Sequence, residues 1–183
     1  MRIAYDYSHL GGKEILQVRF PHILSDIQEV IAEVKAERSK ISQEKGKQGK
    51  ALYNPKKMNL AFRKAFATRG FRELKERYNI ILPGQSQPVI KGAYKQIDFA
   101  KEGVLVEVQF GKYAFMFYDM AKFQYFFNES KADVGVEILP AHTLKKEMSS
   151  GVAYGEQLVY DIERLKRHFP AVPVYIILID ADV

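Results

Sequence analysis

Two near-continuous apolar runs constrain this chain most: DVGVEILP at 133–140 and VPVYIILID at 172–180. Runs of this kind belong to strands buried on both faces, the usual setting of parallel strands inside a sheet. Between them, YGEQLVYDIERLKRH at 154–168 sets Tyr154, Leu158, Val159, Ile162 and Leu165 along one side at helical spacing. Strand, helix, strand over this length is a crossover unit, which lays a helix across a sheet and predicts the α/β class.

The rest of the chain supplies further layers. After a short first strand, PHILSDIQEVIAEVKAERSK at 21–40 places Ile23, Ile27, Val30, Ile31 and Val34 on one helical face, with Pro21 near the start. A second helix is expected with Asn59 as its cap, carrying Leu60, Phe62 and Phe66 and, past Gly70, Phe71 and Leu74. The loop LPGQSQP leads into two strands, near 94–99 and 104–110, followed by a helix in the aromatic segment YAFMFYDMAKFQYFF. The fold class is therefore α/β, a mixed β-sheet flanked by helices. No internal repeat is present, which excludes a solenoid. At 183 residues and 47% hydrophobic content, one domain spanning 1–183 is the expectation.

Composition narrows the function classes. The opening MRIAYDYSHL has no apolar run of signal-peptide length, and no window approaches the roughly 20 apolar residues of a membrane span, so a soluble, cytoplasmic protein is expected. The absence of cysteine excludes disulfides and thiolate metal sites, and four scattered histidines argue against a zinc cluster. The net charge of +6 favours a polyanionic partner. Much of that charge lies between 38 and 57, where Arg38, Lys40, Lys45, Lys47, Lys50, Lys56 and Lys57 outnumber Glu37 and Glu44, and Gly46 and Gly49 suggest a flexible loop.

Acids interrupt the strands at one place. In QIDFAKEGVLVEVQFGKYAF, 96–115, a two-residue turn at Glu102 and Gly103 makes facing residues sum to 205, so Asp98 faces Glu107. Alternation then puts Leu105, Glu107 and Gln109 on one face and Val104, Val106, Val108 and Phe110 on the other. A one-residue slip would turn Asp98 toward the apolar face, a costly place for a carboxylate. Two carboxylates about 5 Å apart repel, and a divalent cation relieves them; magnesium takes one or two protein carboxylates and keeps several waters. The same pattern also describes an exposed polar hairpin face whose Glu and Gln meet water, and spacing does not separate the two readings.

Asp, a short turn and an apolar strand bearing Glu-x-Gln resemble the PD-(D/E)xK nuclease core, in the variant of the BglII and BstYI group of type II restriction endonucleases. Similarity extends to YSHL near the start, KQGKALYNP, GFRE, DVGVEILP, KEMSSG and FPAVPVY, the last three more like the BstYI branch. The resemblance implies a homodimeric, Mg2+-dependent enzyme that cuts both strands of a short double-stranded palindrome, with a site centred on GATC and 5′ overhangs bearing 5′ phosphates. It also implies a cognate DNA methyltransferase in the same host. Carried onto this sequence, Asp98, Glu107 and Gln109 become the catalytic set, and Asp98, Glu107 and the Val108 carbonyl the metal ligands.

Two departures stand out. Ile97 replaces the motif's proline, and Gln109 replaces its lysine; an amide supplies neither a cation nor a base, although it can hold a water by hydrogen bonds. The identity of the general base stays open. Lys112, Ser149 and Ser150 match positions that contact DNA in the family; their plainer readings are a solvated lysine and an ordinary turn. Glu73, read as part of the second helix, is either an accessory acid or a solvated charge. The basic 38–57 segment contacts the phosphate backbone or merely solvates the surface. The aromatic segment reads as core and subunit interface. Two other functions compete: a DNA-binding protein whose nuclease core no longer cuts, invited by Gln109, and a structure-specific repair nuclease with the same core.

Overall fold

The computed structural model describes residues 1–166 and 168–182; Arg167, inside the helix expected over 154–168, lies outside them. In chain order the elements are β1 (Arg2–His9), α1 (Gly12–Arg19), α2 (Pro21–Glu33), β2 (Arg38–Ile41), β3 (Ala51–Tyr53), α3 (Pro55–Thr68), β4 (Arg72–Ile80), β5 (Ile90–Lys101), β6 (Val104–Val108), α4 (Tyr113–Asn128), β7 (Val134–Pro140), α5 (His142–Lys146), α6 (Gly155–Leu165) and β8 (Val174–Asp180).

Six strands form one sheet in the order β1-β8-β7-β6-β5-β4, and β2 pairs with β3 apart from it. The three central strands β6, β7 and β8 run parallel, and the outer pairings are antiparallel, so the sheet is mixed. β7 and β8 are neighbours joined through α6, the crossover that their apolar runs predict. All seven residues of β7 are buried, as a strand covered on both faces requires.

Alternation along the strands divides the core in two. Val104, Val106, Val108, Val134, Val136, Ile138, Ile177 and Ile179 pack beneath α1, α2 and α3, against Leu16, Ile27, Ile31, Phe62 and Phe66. Leu105, Leu139, Ile176 and Leu178 point the other way and meet α4 and α6 through Met116, Met120, Phe123, Phe126, Leu158 and Ile162. α6 lies close because it begins with Gly155: a Cβ there would stand 2.0 Å from Leu178 Cδ2 and 3.0 Å from Leu139 Cβ.

Two local expectations are corrected. The cap of α3 is Asn54 and not Asn59: its side-chain oxygen accepts from the Lys56 and Lys57 amides at 3.1 and 3.4 Å, and Pro55, which has no amide to satisfy, opens the helix. The helix also stops at Thr68 and does not reach Leu74. Gly70, at φ 81°, turns the chain left-handed, and residues 72–80 form β4. Glu73 therefore sits on a strand.

Candidate active site

The β5–β6 hairpin has the predicted register. Phe99, Ala100 and Lys101 face Val106, Leu105 and Val104, each pair summing to 205. The turn is Glu102–Gly103, with φ 50° and 85°; two positive values define the tight reversal whose twist suits adjoining strands, and glycine takes the second without strain. Asp98 and Glu107 are next in this register, one step past the last ladder pair.

Asp98 stands where β5 is irregular. Its pairing with β4 shifts from Arg72↔Ala100 to Leu74↔Ile97, a bulge that breaks alternation: Ile97 packs on the α4 side, whereas Phe99, two residues on, packs on the other. A bulge re-aims side chains. Asp98 is half-buried and borders two open clefts. One, of about 370 Å³, is lined by Tyr94, Lys95, Gln96, Asp98, Tyr118 and Lys122. The other, of about 250 Å³, is lined by Asp98 together with Arg63, Phe71, Glu73 and Phe99. Glu73 also accepts a 2.8 Å hydrogen bond from Gln96 Nε2.

Glu107 is 4% exposed, so the solvated hairpin face is excluded. α4 covers it. Lys122 Nζ pairs with Glu107 Oε1 and with Asp119 Oδ1, the latter at 2.8 Å. Asp119 Oδ2 accepts from Gln109 Nε2 at 2.9 Å, and Gln109 Oε1 accepts from the Gly111 amide at 2.9 Å. Both ends of the Gln109 amide are thus engaged, which fixes its orientation. Val108 puts its side chain into the opposite core layer and has only backbone to offer a cation.

A third acid lies behind. Glu137 on β7 is level with Glu107 on β6, is wholly buried, and finds no hydrogen-bond partner for either oxygen among the described residues. The electrostatics follow from three buried carboxylates sharing one ammonium. Burial, with Asp119 and Asp98 nearby, pushes Glu107 up to about 8 against the pull of Lys122. Burial also raises Asp119, and lifts Glu137 well above the carboxylate range, reinforced by Asp119 and Glu107. A proton on Glu137 removes its buried charge and supplies the donor that two facing carboxylates lack. For Lys122, burial pulls the pKa down, but Glu107 and Asp119 more than reverse it and the net shift is upward.

Sequence reasoning missed Asp119, Lys122 and Glu137. Their signal was present: Asp119 and Lys122 are the only charged residues in YAFMFYDMAKFQYFF and lie three apart, while Glu137 is the one acid inside the apolar core of DVGVEILP.

The expected DNA-contacting residues come from two segments joined by one backbone hydrogen bond. Lys112 is exposed at the start of α4. Ser149 and Ser150 follow α5, and the segment after them is tied back to the Lys112 turn by a 2.9 Å bond from the Ala153 amide to the Gly111 carbonyl. The basic 38–57 segment is less free than expected. Lys40 Nζ donates to Ser149 Oγ, the Ser150 amide donates to Glu44 Oε2 at 2.9 Å, and Lys47 Nζ donates to the Lys146 and Met148 carbonyls at 2.8 and 2.7 Å. Arg38 pairs with Glu147. Lys45 and Lys50 are exposed.

No curated protein matches the chain in sequence. Among solved structures, it is similar to restriction endonuclease BglII complexed with a DNA 16-mer, at TM-score 0.76 and 22% identity over 100% of this chain and 79% of that one. It is also similar to free BglII, at TM-score 0.69 and 18% identity over 100% and 81%. At these identities the likeness establishes a shared fold. A sequence model of the restriction endonuclease BglII/BglIII family matches residues 5–179, nearly the whole chain, and the chain belongs to that family.

Proposed function

We propose that this site-specific nuclease uses Mg2+ to cleave both strands of a short DNA palindrome, with Asp98 and Glu107 as its acidic ligands. The carrying observation is the hairpin register, which brings these two acids side by side where β5 bulges toward open clefts. The donor set suits a hard cation. Two carboxylates and a backbone carbonyl, that of Val108, offer oxygen only, and among the described residues no group of three or more His, Cys, Asp or Glu is placed to cage an ion. A cation that takes one or two carboxylates and keeps its waters fits such a site better than one needing a full protein shell.

When bound, such a cation neutralises charge on the scissile phosphate and lowers the pKa of a water. The chain's own residues set the geometry. Asp98 borders both clefts and orients what enters either. Gln109, anchored at both ends, holds Asp119 and the Gly111 turn in place, and through that turn the start of α4 where Lys112 stands. Lys112 and Ser150 are exposed and Ser149 is half-buried, and their side chains offer an ammonium and two hydroxyls for base edges or phosphates. A site centred on GATC, with 5′ overhangs and 5′ phosphates, is supported by the Glu-x-Gln resemblance. One acidic hairpin per chain serves one strand, so double-strand cleavage calls for a second copy across a two-fold axis. A methyltransferase of the same specificity would protect the host's DNA.

The test is cleavage of mixed-sequence plasmid DNA with and without Mg2+, with sequencing of the ends. Discrete Mg2+-dependent fragments sharing one palindrome support the proposal. Binding without cutting would favour a silent DNA-binding protein, and cutting only at junctions or mismatches a repair nuclease.

A further inference from the structure

The motif's third position has lost its lysine to Gln109, yet an ammonium still stands in the site, delivered by a different element. Lys122 reaches Glu107 from α4, one turn beyond the phenol of Tyr118 and three residues after Asp119. It is nearly buried, but it also lines the same cleft as Asp98. It therefore joins two environments: a closed one, where it neutralises Glu107 and Asp119, and an open one, where a phosphate would enter. Its ammonium also lies 5.7 Å from the ring centroid of Tyr118, one turn back on α4, and that ring lines the same cleft.

We propose that Lys122 is a partner-exchanging counter-ion: in the DNA-free protein it occupies Glu107 in place of a divalent cation, and it releases that carboxylate when a DNA phosphate in the cleft offers a replacement anion. This rests on the reading of Asp98 and Glu107 as cation ligands. Lys122 stays an ammonium throughout, and only its partner changes. An oxygen of Glu107 engaged by a buried ammonium is not free to bind a cation, and a second positive charge beside the first is repelled. A phosphate lifts both obstacles, since it attracts Lys122 away and adds negative charge where the cation must bind. The consequence is protective: cation loading becomes coupled to DNA, and the free enzyme is held in a state poor in metal. Lys122 is on this account a positioning residue, acting through Glu107.

Three measurements test it, all with Ca2+ as the probe. In calorimetric titrations without DNA, Lys122→Met should bind Ca2+ about tenfold or more tightly than wild type, since a unit positive charge leaves at contact distance. Adding duplex should raise wild-type affinity far more than that of Lys122→Met. Equal Ca2+ affinities for the two proteins without DNA would overturn the proposal. Because Lys122→Met leaves buried acids uncompensated, the third measurement uses unaltered protein: nitrogen-15 NMR of the lysine ammonium groups. The protected Lys122 signal should shift on Ca2+ saturation in the presence of duplex, and a signal that does not move under Ca2+ saturation would defeat the proposal in a protein of certain fold. Failure of the parent reading looks different: neither protein would bind Ca2+ at all, with or without duplex, and wild type would not cleave in Mg2+.

Discussion

Replacing Glu137 with glutamine should stabilise the protein as pH rises, against the ordinary expectation that a buried polar change is harmful. Glu137 is wholly buried, both oxygens lack partners among the described residues, and its pKa is raised well above the usual value by burial and by Asp119 and Glu107. In the unfolded chain a glutamate titrates near about 4.3. Between that value and its raised folded value, the folded state keeps a proton that the unfolded state has released, so stability falls with rising pH; below about 4.3 the penalty vanishes, and above the folded pKa it levels off. For one proton the slope is at most about 1.4 kcal/mol per pH unit, so the advantage of Glu137→Gln grows with pH across that window. Glutamine has the same shape, never ionises, and can donate to Asp119. Glu107 and Asp119 titrate in both proteins and are coupled to Glu137, so the difference reports the loss of the Glu137 charge together with its effect on those two. Urea unfolding at pH 5, 6 and 7 in EDTA measures it, with an unchanged m-value as the check on two-state behaviour. Parallel stability curves for the two proteins would refute a buried, protonated Glu137.

Other expectations follow from the same geometry. Burial and its acidic neighbours push Glu107 up to about 8 in the metal-free protein, and a cation needs the carboxylate, so affinity for Mg2+ should strengthen as pH rises toward that value; an affinity that is flat between pH 6 and 9 would contradict this. Lys47 spends its ammonium on the Lys146 and Met148 carbonyls, so Lys47→Ala should cost about 1–2 kcal/mol in urea unfolding and leave the salt dependence of DNA binding unchanged. Exposed Lys45, if it meets a phosphate, should on change to alanine reduce the log–log salt slope by about 0.9. Gly155→Ala forces a methyl against Leu178 and Leu139 and should destabilise by about 1–3 kcal/mol in the same unfolding assay.

The elements most visible in the sequence are those whose pattern is local. The register of β5 on β6 follows from a two-residue turn and period-2 alternation, and Glu102–Gly103 is that turn. What covers a strand is not local, and so the burial of Glu107 under α4 could not be read from its own run. Nor could the bulge at Asp98, which depends on β4, a strand mistaken for a helix because Phe71 and Leu74 also fit a spacing of three. Lys122 was masked by its surroundings: the aromatic residues made the segment read as core, which holds for the inner face of α4 while Phe115, Tyr118 and Phe127 are exposed, and did not show that its two charges turn inward. The basic loop misled in the other direction, since composition counts Lys47 as a free cation while its ammonium is bound to backbone carbonyls.

The most direct test of the central claim is cleavage of a mapped plasmid in Mg2+ by wild type, Asp98→Asn and Glu107→Gln, each first shown to be folded and to bind duplex. Both substitutions keep side-chain volume while removing the charge that would hold a cation. The account predicts linear fragments from the wild-type protein, with ends sharing one palindrome, and no cutting by either variant. Cleavage by Asp98→Asn or Glu107→Gln at close to the wild-type rate would mean that this hairpin is not where the phosphodiester is broken.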